Sequence, residues 1–266
     1  MTKTQKSLLA LALAGLGWVA ARPATAAPAA AAQATGSAPD YAPWGELLSK
    51  YYDPARGMDY GALKAKDAKT LESFKKQLAQ VDPKTLSKKD QLAYWINLYN
   101  VNVVSTVVEH YPIGSIKDLS TDPIIRLNVF KKDTVPVKSG MIALNDVEND
   151  RIRAGFHDPR IHFAINCAAQ SCPPIRSEPY TGARIDEQLD DQVQKFLTGP
   201  HGVKIEKGVV HTTKIMDWFG DDFDKWAGGK VAFLKKHLPA DKARQIGNDV
   251  DFKYDDYSWK LNDAKK

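Results

Sequence analysis

Cysteine is the scarcest chemically useful residue here: Cys167 and Cys172 are the only two among 266 residues. A scaffold stapled by several disulfides is therefore excluded. Thiol chemistry is limited to one bridge, one nucleophile or a share of one metal site. The chain has no glycine-rich phosphate loop, no Gly-x-Ser-x-Gly elbow and no histidine pair at zinc-protease spacing, which argues against nucleotide-dependent chemistry and the commonest hydrolase types. Neither sign of charge is in large excess. The formal net charge is +5, and removal of Lys3, Lys6 and Arg22 with the first 26 residues leaves about +2, too balanced to argue for nucleic acid. Beyond the N-terminus no apolar run is long enough to span a bilayer, so no membrane span is expected in the processed chain.

The N-terminus holds the one long apolar run. Lys3 and Lys6 form a basic head, Ser7 to Ala21 is uncharged and rich in Leu and Ala, and Ala24-Thr25-Ala26 offers a small-x-small cleavage site. A spanning helix needs about 20 apolar residues, and Arg22 and Pro23 end this run too soon. No cysteine follows it to carry a lipid, and no adjacent arginine pair marks the twin-arginine route. The expectation is a signal peptide over 1–26, a flexible Ala/Pro/Gly/Ser leader over 27–39, and a periplasmic or secreted domain over 40–266.

Periodicity predicts helices over Tyr41–Tyr52, Asp67–Val81 and Ser87–Tyr111, the last opened by a Ser87/Asp90 capping box and stopped by Pro112. On that third helix Asn102, Ser105, Thr106 and Glu109 form a polar stripe expected to meet solvent, whereas Asn97 and Asn100 project among apolar residues. Those two carboxamides either bond to nearby backbone or orient a substrate or site residue. Hairpins are expected over Lys132–Leu144 and Val203–Thr213, the second turning at Glu206-Lys207-Gly208. Between them come a short helix capped by Asn145, a buried strand over Arg160–Asn166 and an amphipathic helix over Arg184–Leu197. Short helical pieces over Lys214–Trp226 and Lys230–Leu238 and an aromatic-rich strand over Asp251–Leu261 end the chain. The expected class is α+β, with early helices packed on a later, mostly antiparallel sheet in one domain. The aromatics Tyr41, Trp44, Tyr51, Tyr52, Tyr94, Trp95, Tyr99 and Trp259 line a groove or, at helical spacing among aliphatics, form core.

The segment Asp158-Pro-Arg-Ile-His162-Phe-Ala-Ile-Asn166-Cys167-Ala-Ala-Gln-Ser-Cys172-Pro-Pro174 gathers His162, Asn166, Cys167 and Cys172 within eleven positions, closed by two prolines. It is joined by Tyr94-Trp-Ile-Asn-Leu-Tyr-Asn100, Leu144-Asn-Asp-Val-Glu148, Tyr180, Gln188-Leu189, Trp218-Phe219 with Asp222-Phe223, and Tyr257-Ser-Trp-Lys-Leu-Asn262. Together these motifs resemble the bacterial and plant domain of unknown function 547, over about Trp44 to Asn262. The resemblance implies little about activity. In the family pattern a histidine follows the Glu148 position, and here Asn149 stands there.

Three chemistries fit the residue types. In the first, Cys167 is a thiolate nucleophile activated by His162 with Glu148 nearby, and Asn166, Asn97 or Asn100 donates to an oxyanion. Alternation along a regular strand would put His162 and Cys167 on opposite sides, so this reading needs a turn near Asn166. In the second, Cys167 and Cys172 form a structural disulfide in an oxidising compartment, and Glu148 merely completes a capping box with Asn145. The third is zinc held by His162, Cys167 and Cys172 with His157 or Glu148. It lacks the usual paired spacing and is disfavoured. His110, His201, His211 and His237 read as surface residues. Two function classes remain: an exported cysteine-dependent acyl or amide hydrolase or transferase, and a non-catalytic envelope binding domain with a Cys167–Cys172 bridge. The partner in either is an unidentified small molecule or peptide.

Overall fold

The computed structural model describes residues 36–120, 128–226 and 228–265. The expected signal peptide and nearly all of the leader lie outside the described residues. Ala34–Lys266 forms one compact unit, mostly helical with three small sheets.

Local sequence explains the first half. Helix α1 (Ala42–Tyr51) buries Trp44, Leu47, Leu48 and Tyr51 and runs into the two-residue strands β1 (Tyr52–Asp53) and β2 (Gly57–Met58). Helix α2 (Tyr60–Lys66) is capped by the Asp59 side chain, and α3 (Ala68–Ala79) buries Leu71, Phe74 and Leu78 at three- and four-residue steps. Helix α4 (Lys88–His110) starts at the Ser87 cap, and the Ser87 and Asp90 side chains bond to each other at 2.6 Å. Its polar stripe divides: Glu109 is exposed as expected and Thr106 half-buried, whereas Asn102 and Ser105 are buried on a helix against which α3 packs. Lys75 Nζ reaches Ser105 Oγ at 3.1 Å, and the Asn102 carboxamide donates to Leu98 O at 2.8 Å. At Ser105 the polar position meets a lysine of α3 rather than water alone.

The expected hairpin is β3 (Asp133–Val137) with β4 (Gly140–Ala143). The helix after it differs from expectation. Asn145 is not its cap, since α5 (Leu144–Asp146) begins with Asp146 Oδ2 accepting from the Ala143 N–H at 3.1 Å. The chain then widens into a π-helix, Val147–Arg153, before α6 (Ala154–Phe156). Arg160–Asn166 is not a strand either. Asp158 caps and Pro159 opens a 3-10 helix, Pro159–Phe163, which is what a capping acid followed by proline favours.

Helix α7 (Ile185–Thr198) follows, then β5 (Lys204–Glu206) and β6 (Val209–Thr212), turning at Lys207 and Gly208 with φ of +52° and +79°. Two successive positive φ values make the two-residue hairpin turn that matches strand twist, and glycine takes the second at no steric cost. Four short helices come next: α8 (Ile215–Trp218), α9 (Gly220–Lys225), α10 (Gly229–His237) and α11 (Ala240–Ala243). Strand β7 (Asp251–Tyr254) pairs parallel to β6, so the late sheet is mixed and three-stranded rather than one large antiparallel sheet. The expected strand beyond Tyr254 is an extended tail with isolated bridges at Leu261 and Asp263.

Two apolar clusters result. The larger is built on α1–α4, and the smaller gathers Phe163, Phe196, Met216, Phe223 and Phe233 beneath the late elements. His237 is buried against Phe233 and Trp226 at the second cluster, not on the surface. Among the described residues no helix is long and apolar enough to cross a membrane.

Candidate active site

Asn97 and Asn100, one turn apart on α4, determine where the 164–180 segment lies. Asn97 Nδ2 donates to Tyr180 O at 2.7 Å and its Oδ1 accepts from the Tyr180 N–H at 3.0 Å. Asn100 does the same to the Ala164 carbonyl at 3.0 Å and the Asn166 N–H at 2.8 Å. Asn166 in turn accepts from the Ala168 N–H and donates to Pro173 O. All three carboxamides are therefore engaged with buried backbone, and none lines the cavity described below. Each stands in for the backbone pairing that an irregular coil lacks.

The tail closes the other side of the cysteine loop. Ala168 O, Gln170 N and Ser171 N pair with Asn262 N, Lys260 O and Ser258 O. The tail is held in turn against Gly57, whose φ is +103° and where a Cβ would come within 2.2 Å of Asn262 O. Between the two layers Ala168 sits at φ +60°, a left-handed conformation for a residue with a Cβ. The chain turns just before Asn166, as the thiol reading requires, and His162 and Cys167 line one cavity.

That cavity, of about 260 Å³, is lined by Glu148, His162, Cys167 and Cys172, by the aromatic residues Tyr99, Phe130, Trp218, Phe219, Tyr257 and Trp259, and by Asn128 and Asn145. His162 Nε2 lies 2.8 Å from Asp222 Oδ2. Arg153 grips the same carboxylate with Nε at 2.7 Å and Nη2 at 3.1 Å. The hydrogen bond from His162, with those from Arg153, holds Asp222 far below the usual carboxylate range despite partial burial. Burial keeps the imidazole pKa below its usual value, outweighing Asp222. An ionised Asp222 can only accept, so Nε2 carries the proton and Nδ1 carries the lone pair. Nδ1 is buried and has no hydrogen-bond partner among the described residues. Phe219 stacks on the ring at 4.0 Å and fixes its plane.

No bond joins the two sulfurs in the structure. Cys167 Sγ is 3.1 Å from Tyr257 Oη, and Cys172 Sγ accepts the Cys167 N–H at 2.9 Å. Burial pushes the Cys167 thiol up, but hydrogen bonds from Cys172, Tyr257 and the Ala169 N–H outweigh it and leave it below its ordinary value. Burial, then the neighbouring Cys167, raises Cys172 well above its own. One thiol is poised to ionise and the other to donate.

Glu148 completes no capping box. It sits in the π-helical turn on the cavity wall, where burial pushes its carboxyl up to about 7 against Arg153 and the hydrogen bond with Tyr99. Asn149, where the family pattern has histidine, is turned to Arg153 Nη1 and to Asn145 O. Among the described residues no three metal-type ligands are grouped to hold an ion, and His157 is exposed at the end of α6. Of the aromatics read as groove or core, Tyr41, Trp44, Tyr51, Tyr94 and Trp95 are core, while Tyr99 and Trp259 reach the cavity. Sequence reasoning missed Asp222 and Tyr257 as site residues. Their signal was present in the motifs Trp218-Phe219…Asp222 and Tyr257-Ser-Trp259, but nothing local assigns either a role.

Residues 83–197 match the family described as "Protein of unknown function, DUF547", so this stretch is a DUF547 family domain. It contains Glu148, His162, Cys167 and Cys172, whereas Asp222, Trp218, Tyr257 and Trp259 come after it. No curated protein and no solved structure matches the chain.

Proposed function

We propose that the protein is an exported cysteine-dependent hydrolase or transferase acting on an ester or amide. One observation carries the reading: an imidazole that lines the same cavity as Cys167 is tied through Nε2 to Asp222, while its Nδ1 is left without a partner among the described residues. This is the order of roles that thiol acyl transfer requires, with orienting carboxylate, base and nucleophile in turn. His162 Nδ1 takes the Cys167 proton, the sulfur bonds to the substrate carbonyl carbon, and the C=O electron pair moves to oxygen. Asn145 and a protonated Glu148 stand on the cavity wall as donors to that oxygen. As the pair returns, the bond to the amine or alcohol breaks and the leaving group takes the proton from Nδ1. Water, or a second amine, then gives its proton to Nδ1 and attacks the thioester. The released sulfur recovers a proton from the imidazolium.

A second reading is favoured by the 2.9 Å contact of Cys172 Sγ with the Cys167 N–H, which keeps the two cysteine side chains together. It is a binding domain in which they form a bridge. Thiol titration and alkylation kinetics separate the readings. For the enzyme, denatured but unreduced protein contains two thiols, and native Cys167 reacts with iodoacetamide faster than a free thiol at neutral pH. His162→Ala and Asp222→Asn each slow that reaction at least about tenfold. No free thiol, or an alkylation indifferent to both variants, overturns it.

A further inference from the structure

Against the cavity's aromatic wall lies a cation that no carboxylate among the described residues neutralises. Arg153 is paired with Asp222. Lys117, from the 3-10 turn Ile116–Leu119, has no ion-pair partner among the described residues. Its ammonium instead rests 3.6 Å above the ring of Trp259. Trp259 packs on Tyr257 at 5.0 Å, and Tyr257 Oη touches Cys167 Sγ at 3.1 Å, so the cation is two aromatic rings from the thiol. Beside it Trp218 stacks on Trp259 and tilts against Tyr257 yet is 49% exposed, one of two large apolar side chains so exposed among the described residues.

We infer that the substrate of Cys167 carries a carboxylate, bound at the cavity mouth by Lys117 on Trp259, with an apolar or flat portion lying on Trp218. The inference rests on Cys167 being the nucleophile. A lone ammonium is a point charge suited to a monoanion, whereas a phosphate dianion calls for several converging N–H donors, which this aromatic wall does not supply. Fixing the ammonium over an indole limits the ordering cost of binding and leaves its outer protons to the anion. Lys117 and Cys167 interact electrostatically, and burial draws the lysine somewhat below its ordinary value, as expected for a cation facing the site.

Paired alkylating reagents that share a reactive group and differ by one negative charge test this on the intact protein. In each pair Cys167 sulfur displaces iodide or adds across a maleimide double bond, so only the carboxylate differs. Rates with iodoacetate and iodoacetamide, and with carboxyethylmaleimide and ethylmaleimide, are each referred to a small free thiol. The anionic member of at least one pair is expected to gain about 3- to 10-fold, from one charge at partial solvent exposure. That gain shrinks in high salt, is lost in Lys117→Gln and survives in Lys117→Arg. Because a change in thiolate fraction affects both members equally, the ratio isolates the anion contact. A ratio equal to the free thiol's in both pairs, or one unchanged in Lys117→Gln, overturns the inference. Slow alkylation by every reagent, independent of His162, overturns the nucleophile itself.

Discussion

Ala168 follows the candidate nucleophile in a left-handed conformation that costs a residue with a Cβ about 1–2 kcal/mol. It persists because the Asn166 side chain and the Asn262 backbone hold both of its peptide groups, and it is what turns the Ala169 N–H back onto Cys167. Strain held by surrounding contacts beside a thiol whose pKa is drawn down is the pattern expected of a working site. Glu148 departs from its ordinary behaviour in a way that equilibrium unfolding can read. Its carboxyl ionises near 7 in the folded chain and about 4.3 when unfolded. As pH rises between those values the unfolded state loses its proton first. The contribution to stability is therefore complete below about 4.3 and is lost on approaching 7, with an upper bound of about 4 kcal/mol. Glu148→Gln removes that decline. Denaturation midpoints of wild type and variant should converge at low pH and separate, variant above, near neutrality; parallel profiles would show that Glu148 is ordinary.

Among the elements, α4 does most to shape the site while contributing only Tyr99 to its lining. Its asparagines hold the two ends of the cysteine-bearing coil, and its Tyr99 hydroxyl meets the π-helix at Glu148. The π-helix has its own rationale, since the wider turn sets Glu148 on the cavity wall while Arg153 reaches Asp222. Truncating either asparagine strands a buried carbonyl and N–H. Asn97→Ala and Asn100→Ala should each cost about 1–3 kcal/mol in chemical denaturation. The two variants should differ in reactivity. Asn100→Ala frees the Asn166 N–H next to Cys167 and should slow alkylation of the thiol, whereas Asn97→Ala acts on Tyr180 and should leave the alkylation rate near wild type. Unchanged stability in both would mean that water replaces the lost bonds.

Considered whole, the molecule builds its cavity where two apolar clusters adjoin. Cys167 and Glu148 come from segments packed on the larger one, and Phe219, together with the Asp222 carboxylate, comes from the elements around the smaller. The family domain over 83–197 thus holds the candidate nucleophile and base, and later chain supplies the orienting acid and the aromatic mouth. The proposed location is a property of the whole chain. Cleavage after Ala26 should give an envelope-extracted species starting at or near Ala27, seen by intact-mass measurement; a full-length species in the membrane fraction would refute export.

Periodicity and capping were sufficient for α1, α3, α4, α7 and both hairpins, because each depends on neighbours within about four residues: Ser87 with Asp90, or Lys207 with Gly208 at a turn. The grouping of His162 with Cys167 was also visible along the chain, as was the need for a turn between them. What local order could not supply was the partner of each side chain. Asp222 is 60 positions from the imidazole it holds and Tyr257 is 90 from the thiol it touches. The polarity of Asn102 and Ser105 looked like a solvent face until α3 covered it. Propensity acts over one helical turn, whereas hydrogen-bond partners, burial and the pKa shifts that follow from them arise between segments brought together by packing. An Asp-Pro cap starts a 3-10 helix in an apolar run that reads as a strand, and with the turn that follows it His162 and Cys167 line the same cavity.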